Sequence, residues 1–136
     1  MKIGIIGLGN IAQKAYLPVI SGMNDVELVL CTRNPETLNR VSAMYRIPQC
    51  VQTVDELIER GINAAFVHSA TEAHAEITEK LLNNDIDVYV DKPIAYSYDD
   101  ALKLVQLTCG HYQGFLPCFS VLIQCQAHFA PLISCT

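Results

Sequence analysis

Residues 2–12, Lys2-Ile3-Gly4-Ile5-Ile6-Gly7-Leu8-Gly9-Asn10-Ile11-Ala12, begin as a short apolar run and end in the pattern Gly-x-Gly-x-x-Ala. An apolar run followed at once by glycine is typical of a buried parallel strand that ends in a tight turn. Gly7 permits the turn, Gly9 leaves the backbone open to a pyrophosphate, and Ala12 lets a helix pack close to the strand. The stretch predicts a phosphate-binding strand–turn–helix unit; the alternative is a glycine turn in an unrelated α/β protein.

Apolar runs and amphipathic helical segments alternate along residues 1–103. After the first strand, the runs predict four more strands, at residues 26–31, 50–52, 62–68 and 85–90. Strand and helix alternate without an internal repeat or a linker, which is typical of an α/β protein with a doubly wound parallel sheet and right-handed crossovers.

The predicted helices have recognisable ends and apolar faces. Asn34, Thr53, Thr71 and Ser97 are predicted N-caps, and Gly61 is a predicted C-terminal glycine. Pro18 predicts a kink or break near residues 16–17. The predicted inward faces are Leu38, Val41 and Met44 in one helix and Ala101, Leu102 and Val105 in another. In the helix between them they are Ala73, Ile77 and Leu81, with His74 as a further candidate.

Composition excludes several classes of partner and site. The net charge is −5 and Lys and Arg form no cluster, so neither a nucleic acid nor an anionic membrane is expected as a partner. The six cysteines include no C-x-x-C pair and no zinc-like spacing, which predicts reduced thiols, a cytoplasmic location and no metal site. The sequence shows no signal peptide and no apolar run long enough to span a bilayer.

The last 33 residues differ from the rest, because residues 104–136 contain no Asp, Glu, Lys or Arg. One interpretation is a buried sixth strand followed by an interdomain passage. The other, which we favour because buried strands are normally flanked by charges, is a disturbed reading frame or a shortened chain. We therefore expect a dinucleotide-binding domain at residues 1–108 and an aberrant or truncated start of a substrate domain at residues 109–136.

The end of the predicted second strand bears on cofactor choice. An enzyme that prefers NAD usually has an acidic residue here to bind the ribose hydroxyls, whereas this chain has Cys31-Thr32-Arg33-Asn34. Arg33 would pair with a 2′-phosphate, and Thr32 and Asn34 could donate hydrogen bonds to it, so we expect NADP to be preferred over NAD. The alternatives are that Asn34 only caps a helix and that Arg33 is a solvated loop charge.

Two more stretches follow predicted strands at the carboxyl edge of the sheet, where ligands bind in such folds. Ser69, Ala70, Thr71 and His74 follow the fourth strand, and Asp91-Lys92-Pro93 follows the fifth. Lys92 is placed for acid chemistry. By default Thr71 is a cap, His74 a packed or capping histidine, His68 a structural residue and Lys92 a strand-end lysine.

Together these motifs resemble the glucose-fructose oxidoreductase / inositol dehydrogenase (Gfo/Idh/MocA) family, with Asp91 in place of the commoner Glu of its Glu-Lys-Pro triplet. The resemblance covers residues 1 to about 105 and implies a Rossmann NAD(P)-binding fold. It implies that the backbone around Gly9, Asn10 and Ile11 holds the pyrophosphate, in a cofactor-binding turn that also includes Gly7 and Ala12. It also implies that Ser69, Ala70, Thr71 and His74 line the cofactor cleft, that Asp91 contacts the nicotinamide ribose, and that Lys92 is catalytic.

The resemblance implies an NAD(P)-dependent oxidoreductase that moves hydride between nicotinamide and a sugar, polyol or related hydroxyl compound. Family members continue into a second domain with the substrate pocket and the oligomer interface, and this chain stops where that domain would start. The short chain could therefore be inactive. The alternatives are a non-catalytic dinucleotide-binding module and a degenerate fragment.

Overall fold

A computed structural model describes the backbone of residues 1–110 and 121–123 and the side chains of residues 1–107. Six parallel strands form one sheet: β1 (Lys2–Ile6), β2 (Glu27–Cys31), β3 (Gln49–Val51), β4 (Ala64–Val67), β5 (Asp87–Val90) and β6 (Val121–Ile123). Their order across the sheet is β3-β2-β1-β4-β5-β6. From β1 the chain adds strands first on one side of the sheet (β2 and β3) and then on the other (β4 to β6). The point between β1 and β4 where this order switches is where open α/β sheets form a ligand crevice.

Helices connect successive strands. A π-helical turn (Ala12–Tyr16) runs directly into α1 (Leu17–Ile20), and the others are α2 (Pro35–Tyr45), α3 (Val54–Glu59), α4 (Thr71–Leu82) and α5 (Tyr98–Gly110). The sequence predicts that Pro18 kinks or breaks the helix near residues 16–17. The helix changes there from π to α geometry but stays helical at both residues, and Pro18 occupies the first turn of α1.

The sheet is covered on both faces, which confirms the doubly wound architecture. Successive residues of β1 point to opposite sides: Ile3 and Ile5 join one buried cluster with Leu17, and Ile6 joins the other with Leu81. Gly4 faces the second cluster, where a Cβ would lie 2.8 Å from Leu57 Cδ2. Glycine at this position therefore lets α3 pack directly on β1.

The predicted apolar faces are correct in part. Leu38 and Val41 of α2 are buried, but Met44 is 59% exposed. The reason is geometric: three residues turn an α-helix by only about 300°, so a three-residue repeat drifts off its face within two steps. In α4, Leu81 is buried as predicted, but Ala73 and Ile77 are only half-buried. The other buried residues of α4 are His74, Thr78 and Leu82. In α5, Leu104 is buried, whereas Leu102 and Val105 are exposed.

Most predicted helix ends are confirmed. Asn34 accepts a hydrogen bond from Thr37 N at 3.1 Å, Thr53 from Glu56 N at 3.2 Å, and Ser97 from Asp100 N at 3.1 Å. Gly61 follows α3 with a φ of +68°, as a terminal glycine requires. The prediction for Thr71 is wrong, because Ala70 is the N-cap residue and Thr71 is already helical.

The uncharged segment contributes β6, whose residues 121–123 pair with residues 88–90 of β5. This pairing agrees with the interpretation of a sixth strand. The disturbed-frame hypothesis concerns residues 109–127, most of which lie outside the described residues, and it stays a prediction.

Candidate functional site

A cavity of about 650 Å³ opens at the carboxyl edge of β1, β2 and β4 and is called the edge cleft below. Residues from five segments line it: Ile6, Gly7, Gly9, Cys31, Thr32, Arg33, Asn34, Gln52, Thr53, Val54, Asp55, His68, Ser69, Ala70, Ala73, Glu76, Ile77 and Lys80. The size is within the range of small-molecule and cofactor sites. Seven of the residues predicted from the sequence are among these: Gly7, Gly9, Thr32, Arg33, Asn34, Ser69 and Ala70.

The glycine turn forms the floor of the edge cleft. Gly7 has a φ of +84°, and a Cβ there would lie 2.6 Å from Ser69 N, so the turn after β1 and the loop after β4 touch through their backbones. A Cβ at Gly9 would have no atom of the described residues within 4 Å. The first glycine thus closes the turn, and the second leaves open space above it for a ligand.

The helix that follows the turn begins as a phosphate site requires. Gln13 N donates to Gly9 O at 3.1 Å, and the amides that precede Gln13 have no carbonyl one turn back to bond. Asn10 and Ile11 are exposed, whereas Ala12 is fully buried against the first core cluster. Ala12 therefore acts through packing, and none of these three side chains lines the edge cleft.

The β2 wall carries the residues predicted for cofactor choice. Thr32, Arg33 and Asn34 all line the edge cleft, and Arg33 and Asn34 are exposed. Asn34 uses its Oδ1 to cap α2, which leaves its amide nitrogen as a donor. Burial, and secondarily the charge of Glu56, raise the pKa of the Cys31 thiol to about 11, so Cys31 lines the cleft as a neutral group.

Helices α3 and α4 add cleft residues that the sequence interpretation missed. Lys80 of α4 pairs with Asp55 of α3, with Nζ 2.6 Å from Oδ1, and Glu76 lies nearby along the same cleft. Asp55 and Lys80 are 25 positions apart in sequence. The only sequence signal for them was their place in the first turn of α3 and the last turn of α4, which does not indicate a shared site.

His74 lies beneath the loops rather than along the cleft. It is 2% exposed, its Nε2 is 2.8 Å from Ser69 O, and its Nδ1 is 2.8 Å from Pro93 O. Carbonyl oxygens only accept hydrogen bonds, so a neutral imidazole can donate to one of the two and an imidazolium to both. His74 thereby joins the loop after β4 to the loop after β5.

The loop after β5 lies outside the edge cleft. Asp91 is half-buried, with its Oδ1 accepting from Lys92 N at 3.1 Å, and the Lys92–Pro93 peptide bond is cis. Lys92 is exposed and does not line the edge cleft. Thr71 is half-buried and does not line the cleft either.

His68 departs most from the sequence interpretation, which gave it only a structural role within a strand. It follows β4, and its backbone N donates to Ile6 O at 2.8 Å. Its side chain is 1% exposed, and Nδ1 lies 3.6 Å from Asp91 Oδ2. A signal was present in the sequence, since His68 directly precedes Ser69 at the carboxyl edge of the sheet.

Residues 1–110 and 121–123 contain neither a metal-binding cluster nor a membrane-spanning helix. No group of three or more His, Cys, Asp or Glu residues is placed to hold a metal ion there. No helix in these ranges has the length and apolar character needed to cross a membrane.

Known proteins resemble this chain in sequence and in fold. The model of the GFO_IDH_MocA family, described as an oxidoreductase family with an NAD-binding Rossmann fold, matches residues 1–111. This chain belongs to that family. The putative oxidoreductase YceM from Salmonella typhimurium is 35% identical to it over 135 residues, which are 97% of this chain and 41% of YceM. The present chain therefore spans about two-fifths of the length of YceM.

Solved structures of other proteins share the fold of this chain. A Gfo/Idh/MocA family oxidoreductase from Vibrio cholerae superposes with a TM-score of 0.81 at 37% identity, covering 90% of this chain and 38% of that one. The 3-ketoreductase KijD10 from Actinomadura kijaniata, in complex with NADP and TDP-benzene, has a TM-score of 0.73 at 22% identity, covering 81% and 34%. The WlbA dehydrogenase from Bordetella pertussis, in complex with NADH and UDP-GlcNAcA, has a TM-score of 0.70 at 20% identity, covering 79% and 31%. The last two show the shared fold alone.

Proposed function

We propose that the edge cleft binds NADP in preference to NAD and that the protein is an oxidoreductase acting on a sugar, polyol or related hydroxyl compound. The observation that carries the cofactor preference is the β2 wall. Thr32, Arg33 and Asn34 line the cleft there, and no acidic residue stands among them. The two structures named with a bound cofactor contain NADP in one case and NADH in the other, so the preference rests on this chain's own residues.

The described residues fit a dinucleotide along the length of the cleft. The open space at Gly9 and the free amides before Gln13 suit a pyrophosphate. The guanidinium of Arg33 suits a 2′-phosphate, because a planar group with several N–H donors can bind phosphate oxygens in pairs. The acidic groups that do line the cleft lie on α3 and α4, and Asp55 is already paired with Lys80.

In the proposed reaction the cofactor, when bound, exchanges hydride with the substrate carbon. The chain's own contribution is to hold and orient the reactants. The backbone around residues 9–11 is proposed to hold phosphate, and Ser69 and Ala70 of the edge cleft to border the nicotinamide half. Asp91 lies beyond the edge cleft and is proposed to accept hydrogen bonds there from the nicotinamide ribose. Lys92 is proposed to contact the substrate and to move the proton that accompanies hydride transfer. His74 fixes the two loops that carry these groups.

Fluorescence titration with NADPH and NADH tests the proposal. We expect NADPH to bind more tightly, and Arg33→Ala to weaken NADPH binding by about tenfold or more, since a hydrogen bond to a charged group contributes about 1.5–3 kcal/mol. NADH binding should change by less than about twofold, because the contact to the 2′-phosphate is absent. Arg60→Ala is the matched control: Arg60 is exposed, is no part of the cleft lining, and lies at the opposite edge, where Lys2 Nζ bonds its carbonyl oxygen. Equal affinity for both cofactors, or binding of neither, contradicts the proposal.

A further inference from the structure

The side chain of His68 is buried without a hydrogen bond. It is 1% exposed, and within the described residues neither Nδ1 nor Nε2 has a hydrogen-bond partner. Its ring lies 4.2 Å from the ring of Tyr16 and is stacked 5.9 Å from that of Phe66. A leucine or phenylalanine would suit such surroundings without leaving a polar atom unsatisfied, which costs free energy in a buried site.

His68 faces the carboxylate of Asp91. Nδ1 lies 3.6 Å from Oδ2, slightly beyond hydrogen-bond length. Asp91 Oδ1 accepts from Lys92 N at 3.1 Å, so its two oxygens face different groups. The aspartate side chain is 14% exposed and is thus held between the buried imidazole and the outer surface of the loop.

Burial favours the neutral form of the His68 imidazole. Burial lowers the pKa of His68 below its ordinary value of 6.5, and the neighbouring His74 acts in the same direction, while Asp91 opposes both. A neutral imidazole carries a single N–H. The carboxylate accepts hydrogen bonds only, so it favours the tautomer with the proton on Nδ1.

We infer that His68 is a positioning residue that fixes the carboxylate of Asp91, so that Asp91 presents an oriented acceptor to the nicotinamide-side ribose of the bound cofactor. The inference rests on the proposed function. His68 touches no reacting atom, because both ring nitrogens are covered by protein. His68 acts on the cofactor only through Asp91. This role explains why an imidazole packs against the rings of Tyr16 and Phe66.

The first test needs no ligand. In the full chain labelled with ¹⁵N in histidine, the His68 resonances are assigned by their loss in His68→Asn. We expect a neutral ring protonated on Nδ1 near pH 7, and we expect Asp91→Asn to change the tautomer balance. A ring protonated on Nε2, indifferent to Asp91→Asn, overturns the inference.

The second test measures NADPH affinity by fluorescence. His68→Leu keeps the volume but removes the donor, and we expect binding about tenfold weaker. In His68→Asn the side-chain amide places an N–H close to the position of Nδ1, and we expect binding within about twofold of the parent chain. In the Asp91→Asn background, His68→Leu should add less than about twofold, because contacting residues are coupled.

A ligand fragment separates the inference from the proposed function. The nucleotide 2′,5′-ADP carries only the adenosine half, so its affinity should be the same in all variants and shows that their edge cleft is intact. If the parent chain binds NADPH but the losses from His68→Leu and Asp91→Asn multiply, only the inference fails. If the parent chain binds neither NADPH nor 2′,5′-ADP, the proposed function fails, and with it the ribose contact assigned to Asp91.

Discussion

Gly7 and Gly9 stand two residues apart in one turn, yet a side chain meets opposite surroundings at the two positions. At Gly7 a Cβ would lie 2.6 Å from Ser69 N and 2.7 Å from His68 O, on a backbone with φ of +84°. At Gly9 no atom of the described part of the chain lies within 4 Å of that position. The two glycines therefore serve different purposes, the first for the fold and the second for the ligand.

This contrast gives a matched pair of variants. We expect Gly7→Ala to lower the free energy of unfolding by about 2 kcal/mol or more, since the left-handed backbone alone costs an L-residue about 1–2 kcal/mol and the backbone clash adds to it. Gly9→Ala should change it by less than about 0.5 kcal/mol, as at an unconstrained surface site, yet weaken NADPH binding. Urea unfolding and cofactor titration measure the two effects. Equal stability losses at both positions would falsify this division of roles.

The two histidines after β4 show how far residue-level interpretation of the sequence extends. The default interpretation of His74 is a packed or capping histidine one turn into an amphipathic helix, and the packed alternative is correct, because His74 is buried. Its two carbonyl partners belong to different loops and could not be inferred from spacing. His68 was placed inside the strand, but the strand ends at Val67, so the boundary error of one residue hid its proximity to Asp91.

At the scale of elements, α2 combines a structural role and a proposed binding role in its N-cap residue. Asn34 Oδ1 caps the helix through Thr37 N, while the same side chain lines the edge cleft. The two roles use different atoms, the oxygen for the cap and the nitrogen for the ligand, and substitutions can therefore separate them.

We expect Asn34→Asp to keep the cap and to leave the free energy of unfolding unchanged or slightly higher, because a negative charge suits a helix N-terminus. The same change should weaken NADPH binding by about tenfold, because it replaces a donor by a charge that repels the 2′-phosphate. NADH binding should fall less. Asn34→Ala is the control: it removes both roles and should cost about 1 kcal/mol of stability. Urea unfolding with parallel titrations checks these outcomes, and an unchanged NADPH affinity in Asn34→Asp would count against a ligand role.

The order and type of the helices and strands could be predicted from hydrophobic periodicity. Their exact boundaries, and the contacts between elements distant in sequence, could not. The strands after β1 begin one or two residues away from their predicted positions, because short apolar runs do not mark where pairing stops. Asp55 and Lys80 come together only because α3 and α4 pack on the same face of the sheet. A local pattern carries no information on such contacts between distant segments.

At the scale of the whole molecule, the edge cleft joins two halves of the sheet. One wall comes from the loops after β2 and β3, through Arg33 and Gln52, and the other from the loop after β4 and from α4, through Ser69 and Glu76. The two halves meet at β1, where Gly7 touches Ser69. A ligand that spans the cleft contacts both halves, so its binding free energy stabilises the fold as one unit.

We therefore expect NADPH at about 100 times its dissociation constant to stabilise the chain by about 2.7 kcal/mol and to raise its unfolding temperature by roughly 5–10 °C in a single transition. Differential scanning calorimetry measures both the shift and its cooperativity. Arg33→Ala is the control: at the same NADPH concentration a tenfold loss of affinity should reduce the shift to about half, because the stabilisation varies with the logarithm of the affinity. The unfolding temperature without ligand should stay the same because Arg33 is exposed. Two separate transitions, with only one moved by NADPH, would mean that the ligand contacts one wall alone. That result would contradict a dinucleotide lying across the switch point between β1 and β4.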